Sequence, residues 1–155
     1  MDVHAVIPVR LDSSRFPRKA LCQLEGKPLL EWLIESVQDS ALFTSITVTS
    51  QDQPVLDLAA ALDVDTCEVS GLFRNGTMRV AQAADVLGLN TDAVVNIQGD
   101  MPGIDSEAMG TLVAALKSGD YDALTLARPC RDEGERADRN RVKVVCNDDG
   151  DALYF

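Results

Sequence analysis

His4-Ala5-Val6-Ile7-Pro8-Val9, running straight into Arg10-Leu11-Asp12-Ser13-Ser14-Arg15-Phe16-Pro17-Arg18-Lys19, is the stretch that decides the fold. The first six residues are an apolar run and read as part of a buried strand over residues 3–9. The next ten put four cations and two hydroxyls into one loop at its carboxyl end. In open α/β sheets, ligands bind in the crevice outside the carboxyl ends of the strands. So basic a loop, in a chain of formal net charge −11, needs an anion to hold. Arg10 and Arg15 can grip phosphate oxygens in bidentate fashion, and Lys19 adds a point charge. Ser13, Ser14 and backbone amides add hydrogen bonds. A nucleoside triphosphate fits this set. The competing reading is a solvated loop whose cations pair with surface carboxylates.

Outward from this loop, strand and helix patterns alternate. Residues 28–37 read as a helix, with Pro28 in its first turn and Leu29, Trp32, Leu33 and Val37 at helical spacing. Residues 46–49 form a β-rich run. Asp52 can cap a helix that carries Pro54 near its start and Val55, Leu58, Ala59 and Leu62 as its apolar stripe. Residues 66–69 read as a short strand. Thr77 can cap a helix to about Leu87, buried through Val80, Ala83, Ala84 and Leu87. Residues 93–97 are a second strong strand, running into the loop Gln98-Gly99-Asp100-Met101-Pro102. Ser106 can cap a helix to Lys117, with Met109, Leu112, Val113 and Leu116 facing inward. Residues 122–127 read as a strand and residues 131–141 as a solvated loop. Residues 142–146 and 152–155 read as a β-hairpin about Asn147-Asp148-Asp149-Gly150. Strands separated by helices imply parallel βαβ units, and hence an α/β fold: a three-layer α/β/α sandwich with a mostly parallel sheet.

Composition bounds the alternatives. The chain has 155 residues, which suits a single domain over residues 1–155. Its 46% hydrophobic and 25% charged content is that of an ordinary globular protein. No apolar run approaches the roughly 20 residues that span a bilayer, so no membrane insertion is expected. The amino terminus lacks the pattern of a signal peptide, which points to the cytoplasm. Cys22, Cys67, Cys130 and Cys146 form no CxxC pair, so a zinc site is not expected and reduced thiols are the default. A pI near 4.4 argues against nucleic-acid binding.

Several residues outside the basic loop could carry chemistry. Asp100 ends a buried strand and can reach Mg²⁺, which takes one or two carboxylates with phosphates and waters; it could equally be an Asx-turn residue. Gln98 could hydrogen-bond a base or sugar, or cap the end of the sheet. Gly76 lets a ligand approach the backbone at a helix start whose free amides favour anions, and Thr77 there is either part of that site or a plain cap. Arg79 sits in the first helical turn, against the helix dipole, which hints at function. Lys143 either projects toward a ligand or lies on the open face of the hairpin. His4, the one histidine, reads as a surface residue. No Ser-His-Asp or Cys-His arrangement emerges, so covalent hydrolase chemistry is not expected.

Taken in order, Val6-Ile7-Pro8-Val9-Arg10, Ser13-Ser14-Arg15-Phe16-Pro17, Lys19, Leu24-Glu25-Gly26-Lys27-Pro28, Gly76-Thr77 with Arg79, Val95-Asn96-Ile97-Gln98-Gly99-Asp100, residues 140–145 and Ala152-Leu153-Tyr154-Phe155 resemble the amino-terminal part of the 3-deoxy-manno-octulosonate (Kdo) cytidylyltransferases. The resemblance implies a Rossmann-like nucleotidyltransferase fold of the nucleotide-diphospho-sugar transferase type. It implies transfer of CMP from CTP to the anomeric hydroxyl of Kdo with release of pyrophosphate, a step of lipopolysaccharide biosynthesis. It also implies that Arg10, Lys19 and Asp100 are catalytic and that Asp100 binds Mg²⁺. Pro8, Val9, Arg10, Ser13, Ser14, Arg15, Lys19, Gly76, Thr77, Arg79, Gln98 and Asp100 would lie on the nucleotide.

Three substitutions depart from the family pattern. Arg18 stands where the family has Gly, at a cost of about 1 kcal/mol if a positive φ is needed there. Met78 and Met101 stand where it usually has acidic residues. Family members also run on for roughly another hundred residues, a length that domain sizes allow. That part carries most sugar-binding residues, a second metal carboxylate and the dimer interface. The chain ends within an apolar strand, Ala152-Leu153-Tyr154-Phe155, whose bare edge invites pairing. Truncation at the carboxyl end and self-association, as a homodimer or otherwise, are therefore expected. Two further readings are a noncatalytic nucleotide-binding homologue and a nucleotidyltransferase for another sugar acid.

Overall fold

The structure is a computed structural model and describes residues 1–12, 16–119 and 121–155. Among them the chain divides into two units, Met1–Asp122 and Ala123–Phe155.

The first unit begins with strand β1 (Val3–Pro8). After the basic loop come a 3₁₀ turn (Lys19–Leu21), a hairpin of β2 (Gln23–Leu24) and β3 (Lys27–Pro28), and helix α1 (Leu29–Asp39). Then follow β4 (Ser45–Ser50), α2 (Gln53–Ala61), β5 (Asp65–Glu68), α3 (Gly76–Leu87), β6 (Ala93–Asn96) and α4 (Ser106–Ser118). The main sheet has the order β5-β4-β1-β6, every pair parallel. The chain moves outward from β1 to β4 to β5, then returns to the other side of β1 for β6. The order reverses between β1 and β6, and this switch point is where such sheets open a crevice.

Burial separates the layers. Along β1, Val3, Ala5 and Ile7 share one core with Leu30, Leu33, Ile34 and Val37 of α1, Val55 and Ala59 of α2, and Met109 and Val113 of α4. Val6, between them in sequence, belongs to a second core with Cys67, Val69, Val80 and Ala83, the last two on α3. Alternate side chains of a strand point to opposite faces, so helices cover both faces of the sheet in three layers. Each large apolar residue fully buried here contributes about 1.5–3 kcal/mol.

The helices fall where the periodicity places them, with shifted details. The buried stripe of α1 is Leu30, Leu33, Ile34 and Val37. Leu29 and Trp32 are only half-buried, and Trp32 Nε1 donates to the Leu24 carbonyl at 2.9 Å. Pro28 is the residue before the helix rather than part of its first turn. Asn75, not Thr77, caps α3, its side chain accepting from Met78 N–H at 3.0 Å. Asp105, not Ser106, caps α4, accepting from Glu107 N–H at 3.1 Å. In both helices a strong capping residue stands just before the expected one and takes the orphan amide first. Leu87 is exposed, at the last turn of α3. His4 is buried rather than on the surface: β1 is an interior strand, and Ser45 Oγ at 2.7 Å and Thr47 Oγ1 at 2.8 Å satisfy both ring nitrogens.

The second unit contains α5 (Glu133–Ala137) and the antiparallel strands β7 (Val145–Cys146) and β8 (Ala152–Tyr154). Residues 122–127 form no strand; among the described residues they have no sheet neighbour, and a strand needs one to pair its backbone. Residues 131–141 are organised by Glu135 rather than loosely solvated. Its carboxylate accepts from Arg128 Nη1 at 2.9 Å, Arg128 Nη2 at 2.7 Å and Arg131 N–H at 2.9 Å. These bonds, led by that from Arg128, hold its pKa down to about 2. Lys143 lies before β7, outside the hairpin, and Nζ donates to the Asp138 carbonyl.

Candidate functional site

At the switch point the carboxyl ends of β1 and β6 open a cleft of about 280 Å³. Pro8, Val9, Arg10 and Asp12 line it from the β1 end, Lys19 and Ala20 from the 3₁₀ turn, and Gln98, Gly99 and Asp100 from the loop after β6. The segment before α3 and the first turn of that helix close the third side with Phe73, Asn75, Gly76 and Arg79.

Close approach of backbone makes this convergence possible. A Cβ on Gly99 would stand 2.6 Å from Val9 Cγ2 and 2.9 Å from the Pro8 carbonyl oxygen. Only glycine lets the loop after β6 lie against the end of β1. A Cβ on Gly76 would meet Gln98 Oε1 at 2.9 Å and Pro8 Cγ at 3.1 Å. The amino end of α3 thus sits against the same two segments, offering the amides and partial positive charge that favour an anion.

The polar side chains form two groups. Lys19 Nζ lies 3.3 Å from Asp100 Oδ2, an exposed ion pair at the cleft mouth. Such a pair contributes only ~0–1 kcal/mol, so a polyanion and a cation can separate it at little cost. In the second group, Gln98 Nε2 donates to Asn96 Oδ1 at 3.0 Å, and Asn96 Nδ2 donates to Thr77 Oγ1 at 3.2 Å. Thr77 therefore orients the Asn96–Gln98 pair and is not itself among the residues lining the cleft. Arg79 is 5% exposed, donates from Nη1 to the Val69 carbonyl at 2.7 Å and stacks on Phe73 at 4.8 Å. Burial pushes its pKa down, the charge of Asp52 counteracts that, and Arg10 nearby adds to the depression.

The basic loop is fastened at both ends. Leu11 N–H donates to Asp52 Oδ2 at 2.8 Å, and Arg18 N–H donates to the Leu11 carbonyl at 2.9 Å. Arg18 has φ +57°, the left-handed conformation that a glycine takes without strain. Beyond Lys19, the hairpin turns through Glu25 and Gly26 at φ +52° and +86°. Lys27 locks it to α1 through Glu35 and the Trp32 ring.

Of the sequence-predicted residues, the fold brings Pro8, Val9, Arg10, Lys19, Gly76, Arg79, Gln98 and Asp100 to one cleft. Ser13, Ser14 and Arg15 lie outside the described residues. Sequence reasoning missed Asp52, taken for a helix cap, whose carboxylate makes no capping bond and turns instead to Leu11. It also missed Asn75, Phe73 and the role of Gly99. Among the described residues there is no group of three or more His, Cys, Asp or Glu able to cage a metal ion. No helix among them is long and apolar enough to cross a membrane.

Known proteins resemble this chain throughout. A family model described as cytidylyltransferase matches residues 4–155. A 3-deoxy-manno-octulosonate cytidylyltransferase of Vesicomyosocius okutanii is 35% identical over 100% of this chain and 64% of its own length. One from an Anaeromyxobacter species is 39% identical over 99% of this chain and 62% of its own. An 8-amino-3,8-dideoxy-manno-octulosonate cytidylyltransferase of Shewanella pealeana is 34% identical over 100% and 64%. The chain thus spans less than two thirds of these relatives' length. A solved structure of CMP:2-keto-3-deoxy-manno-octonic acid synthetase complexed with CTP superposes with a TM-score of 0.83 at 27% identity, covering 99% of this chain and 63% of that one.

Proposed function

The chain belongs to the cytidylyltransferase family, and from that premise we propose that its cleft binds CTP and serves transfer of CMP to a sugar acid of the 3-deoxy-manno-octulosonate class. The observation that carries this reading is the pairing of Lys19 with Asp100 at the switch point, 3.3 Å apart. A cation for phosphate and a carboxylate for a metal ion stand together there, beside the amino end of a helix. The relative complexed with CTP, similar over 99% of this chain, supports the choice of nucleotide.

In this reading the anomeric hydroxyl of the sugar acid attacks the α-phosphorus of CTP. A new P–O bond forms, the bond to the bridging oxygen breaks, pyrophosphate leaves with that electron pair, and the hydroxyl proton is released. Arg10 and Lys19 offset the charge that gathers on the triphosphate. Gly76 leaves room for the nucleotide at the start of α3, and the Thr77–Asn96–Gln98 chain holds the Gln98 amide in one orientation. Asp100 suits Mg²⁺ by its hard oxygen donors, its exposure, and a cleft lined, among the described residues, by neither thiol nor imidazole. Asp100 would hold the ion with phosphate oxygens and water, and the bound ion would neutralise phosphate charge.

The Shewanella relative gives one reason for a second acceptor, the 8-amino analogue of Kdo. Nucleotide and sugar acid are both soluble metabolites, which supports a cytoplasmic location. The test is pyrophosphate release from CTP with each acceptor. Release with one or both sugar acids and none without acceptor is expected. CTP binding with no release with either would leave a noncatalytic nucleotide-binding homologue as the reading.

A further inference from the structure

We propose that Asp52 is a positioning residue for the cleft, its carboxylate fastening the start of the basic loop through the Leu11 amide. What the cleft holds rests on the cytidylyltransferase reading; the fastening does not.

An Asp at a helix start ordinarily spends its carboxylate on the amides of the first turn. Here that use is closed off. Pro54 has no N–H, and Val55 N–H bonds the Asp52 backbone carbonyl at 2.9 Å. The side chain of Asp52 makes no capping bond. Its own N–H donates to Ser50 Oγ at 3.0 Å, which sets the backbone so that the carboxylate reaches Leu11 N–H, 41 residues earlier, at 2.8 Å.

Leu11 is the right place to hold. Its N–H goes to Asp52 and its carbonyl accepts Arg18 N–H at 2.9 Å, so one residue ties both ends of the loop. Arg10 stands just before this knot and Lys19 just after its far end, and both line the cleft. Bonds to an ionised acceptor are the stronger kind. Asp52 also acts on the arginines electrostatically: its charge counteracts the effect of burial and of Arg10 on Arg79. Loss of the carboxylate would free Leu11 and leave Arg10 and Arg79 to repel each other.

The test measures two quantities in the full chain: hydrogen exchange of the Leu11 amide by NMR, and CTP affinity by calorimetry with Mg²⁺ present. For Asp52→Ala, Leu11 exchange should quicken and CTP should bind about tenfold more weakly, the size set by one lost hydrogen bond to a charged acceptor. Asp52→Asn keeps an oxygen acceptor, so it should restore most Leu11 protection while affinity recovers only in part. If Asp52→Ala does not fold, Asp52→Ser, whose shorter side chain carries no carboxylate to reach Leu11, is read in the same way. Unchanged Leu11 exchange in the Ala or Ser variant overturns the proposal. So does faster exchange with unaltered CTP affinity. If the wild-type chain binds no CTP, the functional reading falls, while the Leu11 amide still decides whether Asp52 holds the loop.

Discussion

Gly99→Ala should damage both stability and the cleft, by an amount the geometry allows to be worked out. The added methyl would lie 2.6 Å from Val9 Cγ2 and 2.9 Å from the Pro8 carbonyl oxygen. The first distance is about 1 Å short of the 3.5–4.0 Å at which carbons pack best. Val9 is 5% exposed and belongs to the main core, so it cannot swing away freely. The Pro8 oxygen is backbone at the end of β1 and moves only with the strand. Overpacking of this kind costs typically ~1–3 kcal/mol. Taking ~2 kcal/mol, the melting temperature of a chain this size falls by roughly 4–8 °C. The same shift pushes the loop carrying Gln98 and Asp100 away from Arg10 and Lys19, so CTP should bind more weakly than the stability loss alone would explain. Circular-dichroism melting and nucleotide titration read the two effects. Gly103→Ala is the control, because nothing lies within 4 Å of the Cβ it would add. Gly99→Ala melting and binding like wild type would refute the claim that close backbone approach builds the cleft.

Three smaller predictions follow from single residues. Arg18→Gly relieves a left-handed conformation worth roughly 1–2 kcal/mol and gives back about 0.5–1 kcal/mol through the looser unfolded chain. Its melting temperature should equal or exceed that of wild type, whereas Arg18→Ala, which keeps a Cβ, gains nothing; a lower value for the glycine variant would contradict the account. Burial lowers the His4 pKa against the opposing pull of Asp65 and Asp2. The unfolded chain therefore takes up the proton first as pH falls, so this contribution to stability is complete above the ordinary value of about 6.5 and shrinks below it. Urea unfolding at pH 7.5 and 5.5 should show a larger loss in wild type than in His4→Gln; equal losses would rule the effect out. Gly110→Ala, mid-helix in α4 with open space around the added Cβ, should stabilise by roughly 0.5–1 kcal/mol, and a lower melting temperature would count against the described environment.

The sheet was the most legible part of the sequence. Val3–Pro8 and Ala93–Asn96 are apolar runs that end in polar loops, and both became neighbouring strands. The cleft followed, because topology alone brings two strand ends together, and the loops carrying Arg10 and Asp100 were already marked by their chemistry. What stayed hidden depends on contacts distant in sequence. Asp52 looks like any helix cap until its partner, Leu11, is seen across the sheet. His4 looks like a surface residue until Ser45 and Thr47 of the paired strand take its ring nitrogens. Residues 122–127 are apolar enough to read as a strand, but composition records only which side chains are apolar. Pairing depends on a neighbour, and none is described. Thr77 and Ser106 were plausible caps in isolation; Asn75 and Asp105, just upstream, captured the amides instead.

The most direct test of the central claim is calorimetric titration of the chain with CTP, with and without Mg²⁺, and with ATP as control. CTP should bind, more tightly with Mg²⁺ than without it and ahead of ATP, and binding should be lost when Lys19 and Asp100 are both replaced by alanine. Equal affinity for CTP and ATP, no dependence on Mg²⁺, or no binding of either nucleotide would contradict that claim.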